Sequence, residues 1–248
     1  GEGEGEGQAL AGGEGEGGEG EGGEGEGEGA ATEGADLATD DAAYLTQLGL
    51  IRGHLAVGYA LYQQELPELA ETHMKHPQAE IYTTIEPAFT ARGCDGFGAG
   101  LTELTAAVTE RMSQGDVTTA YEGLIEGIGR CEGVAATDDP VVIAGVIEGL
   151  LRTAGVEYQI GVIDGAIDNL HEYQDAWGFT QVAGDLARSS AFAADPTATA
   201  VAAQLQTLID GLEPLWPSLN PEGAVEGEAA QLFGAAAQVE ITALPLQR

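Results

Sequence analysis

Residues 40–62 read DDAAYLTQLGLIRGHLAVGYALY. After the aspartate pair, Tyr44, Leu48, Ile51, Leu55 and Tyr62 recur at helical intervals, while Leu50, Val57 and Leu61 cover an adjoining face. A helix this apolar on more than one side is expected at the centre of a bundle, with neighbours all round it. Aromatic residues make up only 6% of the chain, alanine and glycine are abundant, and strand-forming runs are nearly absent. The fold class expected is therefore all-α: a helical bundle with long helices over residues 39–248, with sub-halves at 39–136 and 137–248.

Outward from that helix, the punctuation is proline, glycine and aspartate. Pro67 interrupts, a short helix runs to about Met74, Pro77 opens another that Pro87 kinks or shortens, and Gly93 ends it. Phe97 to Met112 and Val117 to Cys131 read as an antiparallel helical hairpin turned at Ser113-Gln114-Gly115-Asp116. Its geometry places Cys94 and Cys131, the only two cysteines, opposite each other at the open end, and a disulfide between them is expected. Asp139-Pro140 caps the second half. From there Leu151, Val156, Ile160, Ile163, Ile167, Leu170 and Trp177 recur at threes and fours, which predicts one very long helix or two nearly collinear ones. Asp195-Pro196 and Asn220-Pro221 repeat the cap-plus-proline signal ahead of the last two helices.

Toward the N-terminus the composition changes abruptly. Residues 1–34 hold eleven glutamates and no basic residue, so a disordered acidic Gly/Glu tether is expected over residues 1–38. A G-x-G-x-x-G match at Gly13, Gly15 and Gly18 lacks the strand and helix that a phosphate cradle needs. The chain opens on Gly1 without an apolar leader, and the expectation is a processed, exported protein, periplasmic or at the extracellular surface. A lipoprotein, in which a lipidated cysteine precedes a flexible spacer, and a signal-peptidase cut both account for such a start. No apolar run of transmembrane length is present.

The chain carries 42 acids against 8 bases, a net charge of −34. Nucleic acid is excluded as a partner, because it needs a basic footprint. The acidity fits two readings: adaptation to salty surroundings, or a surface for cations and a basic protein partner.

Chemistry concentrates in Glu71-Thr-His73-Met74-Lys-His76-Pro-Gln-Ala-Glu80. Three of the four histidines, His54, His73 and His76, fall within 23 residues. His73 and His76 are three apart and Glu80 follows one turn later, so the three share a face. Joined by His54 from the apolar helix, with Met74 as an optional soft ligand, they would hold zinc, iron or copper rather than calcium. The plain alternative is that these histidines are packed and hydrogen bonded. On the predicted long helix, Glu157, Asp164, Asp168 and Asp175 form an acidic stripe with His171 at its edge, which reads either as a carboxylate row for a cation or as a solvated face. No G-x-S-x-G, H-E-x-x-H, P-loop or C-x-x-C-H is present, so the expected protein is not an enzyme.

Arg52-Gly53-His54-Leu55-Ala56-Val57 resembles the G-x-H-x-x-E mark of the imelysin-like periplasmic and lipoprotein helical proteins, with valine in place of the glutamate. The resemblance implies a helical fold and iron handling, and carries only His54 across as a site residue. Two functions follow from the sequence. One is an exported, non-enzymatic protein holding a transition metal ion (iron, copper or zinc) through His54, His73, His76 and Glu80. The other is a structural or accessory subunit whose acidic surface docks on a basic partner or membrane complex.

Overall fold

A computed structural model describes Thr32 and residues 34–248; the Gly/Glu run of residues 1–31 lies outside the described residues. The first half contains α1 (Asp41–Gln63), α2 (Pro67–His76), a π-helical segment (Pro77–Tyr82), α3 (Thr83–Arg92), α4 (Gly98–Thr109) and α5 (Gln114–Glu132). The second contains α6 (Pro140–Gly161), the two-residue strands β1 (Val162–Ile163) and β2 (Ala166–Ile167), α7 (Leu170–Ala187), α8 (Pro196–Asp210) and α9 (Ala229–Ala243). Short 3-10 turns follow α7, α8 and α9.

The Asp40 carboxylate accepts from the Ala43 amide and starts α1, which buries 16 of its 23 residues. That proportion is what a central helix requires, and α1 packs against α2, α5, α6 and α7. Helices α6, α7, α8 and α9 close a ring of four, α6 touching α7 and α9 while α8 touches α7 and α9. The buried apolar side chains of both halves form one continuous cluster, from Tyr44 and Leu48 on α1 to Leu232 and Val239 on α9. At about 1.5–3 kcal/mol for each large side chain removed from water, this cluster is the main stabilising term.

The α4–α5 hairpin forms with Ser113 as cap, its hydroxyl accepting from the Asp116 amide. Cys94 and Cys131 are joined by a disulfide, with Cα atoms 5.3 Å apart. Beside it the Tyr44 hydroxyl donates to the Cys131 carbonyl at 3.0 Å. Arg92 lies over the Tyr44 ring and pairs with Asp41 at 2.6 Å. Asp41 also accepts from the Ala136 amide at 3.0 Å. One carboxylate thus binds the start of α1, the end of α3 and the loop before α6.

The structure corrects three expectations. The long helix is broken: α6 ends at Gly161, the chain turns through an antiparallel hairpin with Val162 opposite Ile167, and α7 packs back against α6. Asp164 and Gly165 at the tip have φ of 52° and 77°, the left-handed pair a two-residue hairpin demands. Asn220-Pro221 does not start the last helix, which begins at Ala229 behind a capping box between Glu228 and Gln231. Pro77, expected to open a fresh helix, instead sits in the π-helical segment that joins α2 to α3 without interruption. Such segments absorb an extra residue per turn and turn the face a helix presents.

Candidate metal centre

Three helices meet around one carboxylate. Gly53 on α1 and Gly178 on α7 allow those two backbones to approach closely, which sets their neighbours His54 and Asp175 face to face. Helix α2 returns beside α1 over Gly58, where a Cβ would lie 2.9 Å from the Met74 methyl and 3.1 Å from the Ala70 carbonyl. This close approach brings His73 to the same point. On α7, the Asn169 side chain caps the helix by accepting from the His171 amide, placing His171 and Glu172 in the first turn and Asp175 one turn later.

Asp175 is fully buried, as are His54 and His73. Its Oδ1 lies 2.8 Å from Nδ1 of His54 and 2.8 Å from Nδ1 of His73. Its Oδ2 faces Nδ1 of His171 at 3.1 Å. The His73 and His171 rings stack, with centroids 4.2 Å apart and planes 10° from parallel. His76 borders the group, its ring centroid 4.3 Å from that of His171 and 6.0 Å from that of His54. Phe179 meets the His54 ring edge-on at 5.1 Å and closes the apolar side.

A glutamine sets the chemistry of His73. The Gln174 amide nitrogen donates to the Leu219 carbonyl at 2.8 Å, and its oxygen lies 2.8 Å from Nε2 of His73. Because the Leu219 carbonyl can only accept, the amide orientation is determined, and Nε2 of His73 must carry the hydrogen. Nδ1 is then the atom turned toward Asp175. Two lone pairs 2.8 Å apart repel, so either a proton or a cation joins them. This is the arrangement in which a histidine ligates through one nitrogen while the other donates to a neighbour that fixes its tautomer.

The electrostatics agree. Burial alone would raise the Asp175 pKa, but His54, His73 and His171 together outweigh it and hold the carboxyl well below its usual range. Burial pushes His73 down, against the pull of Asp175, so its imidazole favours the neutral, ligating form. Burial also acts to lower His171, but Asp175 and Glu172 outweigh it and the net direction is up.

Among the described residues, two groups bring three ligand atoms within 4.8 Å of one another: His54, His73 and Asp175, and His171, Glu172 and Asp175. Of the residues singled out from sequence, His54 and His73 lie at the centre, His76 at the border, and Glu80 half-buried in the π-helical segment. Met74 packs its thioether against Gly58 as part of the core. The acidic stripe is dispersed. Glu157 is buried on α6, Asp164 stands at the hairpin tip, Asp168 is exposed before α7, and Asp175 is interior. Asp175 was named only as one of four acids in a cation stripe and His171 only at its edge, so their meeting with His54 and His73 was missed, as was Gln174. The signal for that meeting was the Asp164-Gly165 pair, which ends the preceding helix and lets α7 start at a cap beside His171.

No curated protein and no solved structure matches the chain. One family model does, and it overturns the resemblance to imelysin-like proteins: the matched family is a different one, and it covers the second half rather than the His54 stretch. The matched residues, 134–243, contain α6, α7, α8 and α9, the closed ring of four helices. This part of the chain, with His171 and Asp175 in it, is similar to the iron permease-associated 4-helix bundle domain.

Proposed function

We propose that this protein is a non-enzymatic accessory of an iron permease that binds iron in the histidine cluster around Asp175. The observation that carries the reading is the gathering of all four histidines of a 248-residue chain at one buried carboxylate, His54, His73 and His171 facing it and His76 bordering the rings of His54 and His171. Packing alone gives no reason for four scarce rings, drawn from three helices, to crowd a single anion. Imidazole nitrogens with a carboxylate suit iron, copper or zinc, and the description of the family matched by residues 134–243 favours iron. No helix among the described residues is long and apolar enough to cross a membrane. In this reading the permease is the membrane partner, and the acidic surface of this chain faces it. The disulfide supports an oxidising location, periplasmic or at the cell surface.

The test is the iron content of the purified protein after anaerobic loading with ferrous iron and desalting at high ionic strength, which screens the surface carboxylates. The wild-type chain is expected to retain iron, and Asp175→Asn and His54→Ala to lose it while keeping the helical circular dichroism signal. A wild-type chain that retains none under these conditions overturns the proposal.

A further inference from the structure

We propose that the centre is dinuclear, with Asp175 bridging two metal ions. This rests on the reading of the cluster as a metal site and adds its stoichiometry. The two ligand groups share Asp175 alone and use its two oxygens separately: Oδ1 faces His54 and His73, while Oδ2 faces His171. A single ion at Oδ1 would engage the first group and leave the second unexplained.

The second group is the one that ordinary hydrogen bonding does not account for. Asp175 Oδ2 and both ring nitrogens of His171 are buried without a hydrogen-bond partner, even though Nδ1 and Oδ2 lie 3.1 Å apart. Asp175 is about 1% exposed, so bulk water does not reach its second oxygen, and His171 Nδ1 is the polar atom that faces it. Buried polar atoms of this kind carry a desolvation cost unless something binds them. A cation held by His171 Nδ1, Asp175 Oδ2 and the Glu172 carboxylate would bind them. Glu172 is itself buried, with its Oε2 3.9 Å from the same Nδ1.

The spacing of the rings suits a pair. Metal ions that share a bridging group stand about 3.5–4 Å apart. The stacked rings of His73 and His171 have centroids 4.2 Å apart, and their Nδ1 atoms lie near different oxygens of the carboxylate. Two parallel imidazoles at that distance present one donor nitrogen to each of two neighbouring ions, and one carboxylate spans them. The Asp175 and Glu172 carboxylates offset part of the added charge, and the field of a chain with net charge −34 offsets more.

The experiment is a stoichiometric titration of the full chain at high ionic strength, with ferrous iron followed by elemental analysis and with manganous ion followed by electron paramagnetic resonance. Two ions per chain, spin-coupled in the manganese sample, are expected. The paired substitution His171→Ala/Glu172→Gln should halve the content and remove the coupling while leaving the His54/His73 position filled. One ion per chain in the wild type, or two without coupling, overturns the dinuclear proposal and leaves a mononuclear metal protein. No ion at all overturns the underlying functional reading as well.

Discussion

Gly178 on α7 lies against the backbone of α1 at Gly53: a Cβ on Gly178 would stand 2.4 Å from the Gly53 carbonyl oxygen and 2.7 Å from a Val57 methyl. The next residue of α1 is His54, and Asp175 lies one turn before Gly178. Any added atom at this crossing must therefore lever the histidine away from the carboxylate. Gly178→Ala is expected to cost about 1–3 kcal/mol from overpacking, and to weaken metal binding although no ligand has changed. Denaturant unfolding and a competitive metal titration of the same variant check both halves; unchanged affinity in a destabilised variant would mean that the crossing does not position the site.

Gln174 touches the site only through His73. Replacing it with leucine removes the acceptor for Nε2–H of His73 and the donor to the Leu219 carbonyl. Loss of such an outer partner typically weakens metal affinity about 10–100-fold. Gln174→Glu restores an acceptor for the ring but not a donor for the carbonyl, so it should recover affinity while remaining less stable. Competition against a chromophoric chelator gives the affinities, and thermal unfolding the stabilities.

Asp41 links stability to pH. The Arg92 hydrogen bond holds its carboxyl below the usual range, against the opposing effect of burial. A group whose folded pKa is depressed contributes stability that is complete above the unfolded value, near about 3.9 for aspartate, and is lost as pH falls through the folded value. The wild type is therefore expected to lose stability below about pH 5 more steeply than Asp41→Asn, which is less stable at neutral pH. Chemical unfolding at a series of pH values checks it: parallel curves for the two proteins would show that Asp41 carries none of the dependence.

The disulfide closes a loop between residues 37 apart in sequence and meets α1 at Tyr44, on the same helix as His54 but about three turns before it. Reduction, or Cys94→Ser/Cys131→Ser, should cost about 2–4 kcal/mol of stability. Metal content per folded chain should be unchanged. Elemental analysis before and after reductant separates this from a redox-controlled site, in which the ion would leave with the disulfide.

Much of the first half was legible because its signals are local. The caps, prolines and glycines around α1 and the α4–α5 hairpin act within a few residues, and the two cysteines follow from the hairpin geometry. His54 and His73 could be singled out because histidine is rare here. Asp175 appeared only as one member of a four-acid stripe, since one acid among 42 has little contrast, and its role comes from contacts 121 and 102 residues away along the chain. The break after α6 was obscured because Ile160, Ile163 and Ile167 keep helical intervals while the backbone turns between them. Alternation over two-residue strands is too short to compete with that pattern, and only the Asp164-Gly165 pair betrays the hairpin.

The centre draws His54 and His73 from α1 and α2, and His171 and Asp175 from the four-helix ring, so ions bound there would span a seam between two halves of the molecule and act as a rivet. Loading should make the seam slower to exchange its amide hydrogens and harder for a protease to enter, by as much free energy as binding supplies. The same coupling runs in reverse: a transporter that prised α1 from α7 would dislodge its cargo by mechanical parting, with no stronger chelator needed to compete for it.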